Sequence, residues 1–347
     1  MNNTVNRNIS FDILRIISAL SIVVMHITSG NLYSLEMGSA AWRLSALINS
    51  VSHFGVPVFV MISGALFLAP DREINIKKLW LHNILRLFCA YLIWSIIYGS
   101  LDYLTYRNGF RGYLWCAVVA RPHLWFLLML IGIYIISPIL IRWVRAASEK
   151  EVRYFIIIFV IFQIFCETLK IYIPADIVQT VIDLRNIELV CSYVGYFVIG
   201  YYIVHVGLKK VFRYALYLLG LLGILSSIFM LTFISIKRGV PVSEIVDSYS
   251  SFTFFYSTAL FTFVYKVFEG KEIKPIVKKI VSGIGIDTFG LYLSHILIIE
   301  NFSALSKLHD SMMLVPGIIF YAIAIFTVGI LGSALIRRIP FIGRYIC

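Results

Sequence analysis

Charged residues are scarce in this chain of 347 amino acids, where Asp, Glu, Lys and Arg together make up 14%. Soluble globular domains carry about 25% charged residues, so the composition excludes a water-soluble fold. Intrinsic disorder is excluded as well, because a disordered chain is polar or strongly charged. No polar stretch is long enough for a separate soluble domain, and we expect residues 1–347 to form one membrane domain.

Cysteine is also rare and shows no pattern. The five cysteines have neither CxxC nor metal-ligand spacing, which argues against a disulfide scaffold and against a zinc site. Most of them lie in apolar runs and are expected to be small buried hydrophobes. We therefore expect no metal site and no tightly bound cofactor.

Apolar residues are abundant, at 60% of the chain, and the mean hydropathy is +0.89. A membrane span takes about 20 apolar residues, and the chain contains ten runs of suitable length. The sequence therefore predicts an all-α, polytopic helix bundle of about ten transmembrane helices in a lipid bilayer. The predicted spans lie near 11–30, 45–69, 80–101, 123–141, 154–173, 188–206, 212–235, 248–268, 284–301 and 312–336.

The net charge of +12 indicates an orientation in the membrane and not a nucleic-acid partner. With ten spans, twenty of the 30 Lys and Arg residues fall in the terminal and alternate loops on one side, and nine fall on the other. Positive residues are enriched in cytoplasmic loops. We therefore predict that this is a multi-pass membrane protein with both termini in the cytoplasm.

The first predicted span, FDILRIISALSIVVMHITSG, contains three ionisable residues, Asp12, Arg15 and His26. Ionisable groups inside a membrane are costly and are functional candidates by default. Asp12 and Arg15 are three residues apart and can pair on one helix face. Arg15 and His26 are eleven residues apart, which returns to the same face about 16 Å further along. Alternatively, Arg15 is an anchor that reaches the membrane surface, and His26 bonds to a neighbouring helix.

The ninth span, DTFGLYLSHILIIE, places Thr288, Tyr292 and His295 four and three residues apart. This spacing forms a polar stripe on one helix face. We expect the stripe to face the interior of the bundle. A Tyr–His hydrogen bond between helices would explain it equally well.

The second and fourth spans carry further candidates. In HFGVPVFVMISGALFL, Ser63 and Gly64 indicate close helix packing more strongly than a binding site. In HLWFLLMLIGIYIISPIL, His123 is expected near His26, whereas Trp125 suits the aromatic belt at the membrane surface.

Lys78, His82 and Arg86 recur at four-residue intervals in DREINIKKLWLHNILRLF and are expected to lie on one side of a helix. Such a basic stripe is typical of contact with anionic lipid. It also suits a phosphate-bearing cytoplasmic ligand, because charged hydrogen bonds hold phosphate groups.

A basic group near one membrane face and a histidine near the other favour chemistry on a long ligand that lies across the membrane. An acyl-CoA fits, because its anionic nucleotide needs Arg or Lys while its neutral arm can lie in an apolar channel. A hydroxyl acceptor is a weak nucleophile and needs a general base, and histidine is the side chain best matched to that role at neutral pH. Arg15 could stabilise developing charge.

At this point the sequence resembles the acyltransferase-3 family of bacterial membrane O-acyltransferases, and in particular its polysaccharide O-acetyltransferase branch, which includes the enterobacterial common antigen O-acetyltransferase. Arg15 and His26 match the family's Arg-x10-His signature. PVFVMISGALFL, HLWFLLMLIGIYIISPIL and TFGLYLSH are similar to its later motifs, in the same order.

The resemblance implies transfer of an acetyl group from cytoplasmic acetyl-CoA to a hydroxyl of a cell-surface polysaccharide or a lipid-linked glycan. His26 and Arg15 would be the catalytic residues. Residues that bind donor or substrate would be Asp12, Ser63, Lys78, His82, Arg86, His123, Trp125, Tyr292 and His295.

Two features depart from the family's pattern. Many relatives carry an Arg-x-x-Arg pair after the second span, where this chain offers Lys78, His82 and Arg86. Some relatives also carry an additional extracytoplasmic domain that completes the transfer. Without it, we expect this chain to act alone, as a homo-oligomer, or by passing the acyl group to a partner.

Two other functions are compatible with the residues. A non-catalytic transporter of glycans or lipid intermediates would use similar aromatic linings and basic loops. Proton-coupled antiport is less favoured, because Asp12 lies at the edge of its span and Glu300 lies off the face of His295.

Overall fold

The computed structural model describes residues 7–73, 75–106, 121–173, 192–301, 313–340 and 343–346, and all regular elements in these ranges are helical. The α-helices are α1 Ile9–Ser34, α2 Ala40–Ser50, α3 Gly55–Phe67, α4 Ile76–Lys78, α5 Leu85–Tyr106, α6 Trp125–Ala146, α7 Glu149–Phe159, α8 Cys166–Lys170, α9 Val194–Tyr201, α10 Lys210–Arg238, α11 Ser251–Phe268, α12 Pro275–Asn301, α13 Leu314–Ile336 and α14 Gly343–Ile346. Three π-helical segments connect or extend them, Leu79–Ile84, Val160–Phe165 and Tyr202–Val206, and there are two short 3-10 turns, Pro122–Leu124 and Ser243–Val246.

Within the described residues, eight helices are long and apolar enough to cross a membrane. The remaining two predicted spans coincide with the shorter apolar helix Val194–Val206 and with α11. Many large apolar side chains are exposed, as expected of surfaces that face lipid, among them Leu218, Leu225 and Phe229 of α10. The prediction of an all-α polytopic membrane bundle is confirmed.

The second predicted span, 45–69, corresponds to the apolar stretch Ala40–Phe67, which counts as one of these eight helices but is interrupted by a turn and so consists of α2 and α3. The chain leaves helical structure between α2 and α3, where residues 51–54 form a turn. Pro57 explains the break, because it has no N–H to donate to the carbonyl of His53 and its ring would clash there. In the first turn of α3, by contrast, a proline is well tolerated.

The centre of the bundle contains an antiparallel contact between α3 and α9. A Cβ atom added to Gly64 would overlap the carbonyl of Phe197, and one added to Gly200 would overlap the carbonyl of Met61. The two backbones therefore touch directly. The prediction that Gly64 serves close packing agrees with this contact.

Helices α1 and α12 run parallel, and residues at corresponding heights along the two helices lie side by side. Near their starts, the Ser282 hydroxyl donates to the Asp12 carboxylate at 2.8 Å. Near their ends, the rings of His26 and His295 lie 5.0 Å apart. We call these two levels of the bundle the Arg15 end and the His26 end. The polar residues of both helices are thus matched level by level.

Candidate active site

Asp12 and Arg15 form the ion pair that their spacing predicts. The Arg15 Nη1 lies 2.7 Å from Asp12 Oδ1. Asp12 is fully buried and is also paired with Arg7 and with the Ser282 hydroxyl. Its carboxylate is therefore satisfied from three directions, which buried charges require. Asp12 anchors the Arg15 end, and its partner Arg15 remains one-fifth exposed.

Arg15 lines a cavity of about 380 Å³, which we call the Arg15 cavity. Its rim is basic, with Arg7, His82 and Arg86 beside Arg15. Its wall is mostly apolar and aromatic, as ligand sites usually are. The wall includes Phe59, Ser63, Phe67, Phe126, Leu130, Tyr134, Thr288, Phe289 and Tyr292.

Three histidines meet beyond the far side of this cavity. The His295 ring lies 5.0 Å from His26 and 5.1 Å from His123. His295 is fully buried and its Nδ1 lies 2.6 Å from the Tyr292 carbonyl. The Nε2 atoms of His123 and His295 are buried and have no hydrogen-bond partner among the described residues. Because unsatisfied buried polar atoms are costly, such atoms in one cluster indicate a functional role.

Tyr292 connects the Arg15 cavity with the histidine cluster. It lines the cavity, its ring lies 5.8 Å from that of His295, and its hydroxyl donates to the carbonyl of His123. The predicted stripe of α12 is therefore real, with Thr288 and Tyr292 at the cavity and His295 one turn further.

Tyr98 and Arg121 lie beside the histidine cluster at the His26 end of the bundle. Neither residue was predicted from the sequence. The Tyr98 hydroxyl donates to the Leu293 carbonyl at 2.9 Å, and the Tyr98 ring packs edge-on against His123 at 5.2 Å. Arg121 pairs with Asp102 at 2.7 Å and with Glu300 at 2.9 Å. The only sequence feature that marks Tyr98 is a hydroxyl group inside an apolar span, and such hydroxyl groups are common.

A second cavity, of about 370 Å³, lies at the His26 end. His53 lines it, so we call it the His53 cavity. The His53 Nε2–H donates to the Asn49 amide oxygen at 3.1 Å, and the Asn49 amide nitrogen donates to the carbonyl of Met25 at 3.2 Å. Met25 directly precedes His26, so a short chain of contacts joins this cavity to the backbone beside the histidine cluster.

The other predicted site residues fall in different places. Ser63 lines the Arg15 cavity, and its hydroxyl donates to the Phe59 carbonyl at 3.0 Å. Trp125 is 43% exposed and packs against Tyr193 at 5.4 Å, as an aromatic-belt residue would.

The basic stripe is only partly as expected. His82 and Arg86 line the Arg15 cavity, but Lys78 lines a smaller neighbouring cavity together with Arg72. The π-helical segment Leu79–Ile84 explains this, because its wider turn rotates later residues relative to Lys78.

The arrangement therefore offers two compartments at opposite ends of the bundle, with a histidine cluster between them. The Arg15 cavity presents cations to an anionic ligand, and the cluster offers imidazoles for proton transfer. The Arg15 cavity and the histidine cluster lie on α1, α3, α5, α6 and α12 and the segments that join them, whereas α8, α10 and the loop before α11 form most of the wall of the His53 cavity.

Comparison with known proteins identifies the family of the chain. The chain matches no curated protein and no solved structure. One protein family does match, over residues 8–338, and its model is described as an acyltransferase domain. This match includes Arg15, His26, Tyr292 and His295. The chain therefore belongs to the acyltransferase-3 family.

Proposed function

We propose that the protein is a membrane O-acyltransferase that moves an acetyl group from cytoplasmic acetyl-CoA to a hydroxyl of a cell-surface polysaccharide or lipid-linked glycan. The observation that carries the proposal is the meeting of the Arg15 cavity with the histidine cluster at Tyr292. In this assignment the Arg15 end faces the cytoplasm of a bacterial cell and the protein lies in its cytoplasmic membrane.

The donor would enter at the Arg15 end. Its nucleotide phosphates would bind Arg15, His82 and Arg86, since cations form the strongest hydrogen bonds with phosphate. Its neutral arm would follow the aromatic wall toward Tyr292. The thioester would then lie next to His26 and His295.

His26 would act on the acceptor. It takes the proton of the acceptor hydroxyl while the hydroxyl oxygen attacks the acetyl carbonyl carbon. The new C–O ester bond forms, the C–S bond breaks, and the CoA thiolate receives the proton from His26. A positioned general base typically contributes about 10²- to 10⁴-fold in rate.

Mass spectrometry of the surface polysaccharide tests this function. We expect that deletion of the gene and His26→Ala both remove acetyl esters, with His26→Ala at wild-type level in the membrane. His26→Gln keeps the side-chain size and should be equally inactive. Full acetylation in all of these strains would reject the enzyme, and a transport defect that His26→Gln rescues would establish a conduit instead.

A further inference from the structure

The His53 cavity has features of a built ligand site that the proposed donor chemistry does not use. Its wall includes the loop Ser243–Ser250, whose Ser250 is 2% exposed. The Ser250 hydroxyl is buried and has no hydrogen-bond partner in the part of the chain that the structure describes. An unsatisfied buried hydroxyl costs folding free energy. A ligand with its own hydroxyl groups would satisfy it.

The loop is held rigidly, as a recognition site requires. The Tyr196 hydroxyl donates to the Ser248 carbonyl, the Thr253 hydroxyl donates to the Val246 carbonyl at 3.0 Å, and the Ser251 N–H donates to the Thr168 hydroxyl at 2.7 Å. These bonds come from neighbouring helices and fix the backbone on both sides of Ser250. The cavity is therefore preformed, which lowers the entropic cost of binding.

Acidic groups outnumber cations along the described wall of the cavity. Lys170 is paired with Glu167 at 2.9 Å, and Arg238 donates to the Ile171 carbonyl at 2.7 Å. Two further carboxylates, Glu244 and Asp247, line the wall. Three carboxylates against two cations give the described wall a formal charge of −1, and carboxylates that accept hydrogen bonds suit a ligand that donates them better than an anionic one.

An aromatic face completes the cavity. Tyr249 lines it, and the Tyr249 ring lies 4.8 Å from that of Tyr193. The Tyr249 hydroxyl also lies 2.8 Å from the Ser192 hydroxyl, which fixes the ring. A rigid ring beside carboxylates and a free hydroxyl matches the mixed polar and apolar surface of a sugar.

We infer that the His53 cavity binds the acceptor as an uncharged or amino-bearing sugar unit and presents its hydroxyl toward the histidine cluster. This inference rests on the proposed function. Asp247 and Ser250 accept and donate hydrogen bonds to the sugar hydroxyls, and His53, through Asn49, links the cavity to the backbone beside His26.

Steady-state kinetics of the purified full-length protein test the inference. The probes are radiolabelled acetyl-CoA and the glycan fraction extracted from cells that lack the gene. We expect Asp247→Asn to raise the KM for glycan by about tenfold or more, the effect of losing a hydrogen bond to a charged group. The KM for acetyl-CoA should stay within about twofold.

Matched variants separate binding from folding. Ser250→Ala removes a hydroxyl that bonds no described residue, so it should unfold at or above the wild-type temperature and still raise the glycan KM about three- to tenfold. Thr258→Val removes another buried, unpartnered hydroxyl outside the cavity wall, and Glu36→Gln removes an exposed carboxylate outside it. Both should leave the glycan KM unchanged.

The outcomes distinguish the two proposals. Transfer by the wild type with an unchanged glycan KM in Asp247→Asn and Ser250→Ala would overturn the inference alone. Absence of transfer by the wild type would overturn the proposed function and the inference with it. Glucosamine should also compete with the glycan better than glucuronate does, and the reverse order would overturn the assigned sugar class.

Discussion

At the scale of single residues, the polar groups of the bundle fall into two kinds. Asp12 has three partners and is fully satisfied, as expected of a structural anchor. The Nε2 atoms of His123 and His295 have no partner among the described residues. Since a buried polar atom without a partner costs free energy, these imidazoles are retained for a reason other than stability.

Arg15→Gln should weaken donor binding without unfolding the protein, because Asp12 keeps Arg7 and Ser282 as partners. The loss of one charged hydrogen bond to a phosphate should raise the KM for acetyl-CoA about 10- to 100-fold. Arg86→Gln should act in the same direction. Arg153→Gln is the control, because Arg153 is exposed in an ion pair with Glu149 at 3.7 Å, away from the cavity wall. Equal KM values for Arg15→Gln and the control would contradict the donor assignment.

We predict that the free energy of unfolding depends on pH through the ionisation of Asp247. The Asp247 side chain reaches solvent, but the protein atoms packed around it and the nearby Glu244 carboxylate raise the pKa of Asp247 above its usual value of 3.8, against a hydrogen bond from the Tyr249 N–H that lowers it. The folded state therefore disfavours the ionised form. Because solvent screens an exposed carboxylate, the effect on stability should be small. As pH rises from about 4 through the raised pKa, the wild type must lose stability relative to Asp247→Asn, and the difference stays constant above it.

Thermal unfolding of the wild type and Asp247→Asn between pH 4 and pH 8 measures this difference. The two melting temperatures should coincide at the acidic end, and the variant should melt higher at neutral pH. A wild type that is the more stable protein at neutral pH would refute the explanation. A stabilising variant that loses acceptor binding would show a carboxylate kept for function at the expense of stability.

At the scale of helices, the contact between α3 and α9 fixes the wall of the Arg15 cavity. Gly64→Ala would push a methyl group into the Phe197 carbonyl, and a backbone cannot move aside as a flexible side chain can. Overpacking of this kind costs about 1–3 kcal/mol or more. We expect a sharp fall in folded protein, measured by size-exclusion chromatography in detergent.

Gly132→Ala provides the comparison for this helix contact. An added Cβ at Gly132 meets no atom within 4 Å. In the interior of α6, Ala is also the better helix former. Gly132→Ala should therefore fold as well as the wild type, and an equal loss of folded protein in both variants would show that the α3–α9 contact is not the cause.

The sequence allowed the helices to be predicted better than their breaks. Runs of about 20 apolar residues identify α1, α6, α10, α12 and α13 directly, because a span must bury its whole length in lipid or protein. The break before α3 depends on Pro57, whose effect depends on which turn it occupies. The π-helical segment Leu79–Ile84 has no comparable sequence signal, and it displaced Lys78 from the predicted stripe.

Only those parts of the site that depend on the spacing of residues along a single helix could be predicted from the sequence. The shared face of Asp12 and Arg15, and that of Tyr292 and His295, follow from spacing along one helix. The meeting of His123 with His295, and the position of Tyr98 over His123, depend on contacts between helices far apart in sequence. Asp247 and Ser250 lie in a short polar loop. A loop has no regular repeat, so the spacing of its residues does not indicate where their side chains point.

At the scale of the whole molecule, two cavities lie at opposite ends of one bundle, and α1 and α12 run parallel between them. Arg15 and Tyr292 line one cavity and His53 lines the other. The histidine cluster lies between Tyr292 and the Asn49–His53 contact. In the proposed function, this arrangement would let an acyl group pass between compartments while the rest of the donor stays at the Arg15 end.

Acyl transfer across a sealed membrane tests this account most directly. Proteoliposomes would hold the glycan from cells that lack the gene inside and radiolabelled acetyl-CoA outside, with intact CoA unable to cross. We predict labelled ester on the enclosed glycan with the wild type and none with His26→Ala. Label that appears only when donor and glycan share one compartment, or that is equal in His26→Ala, would contradict the account.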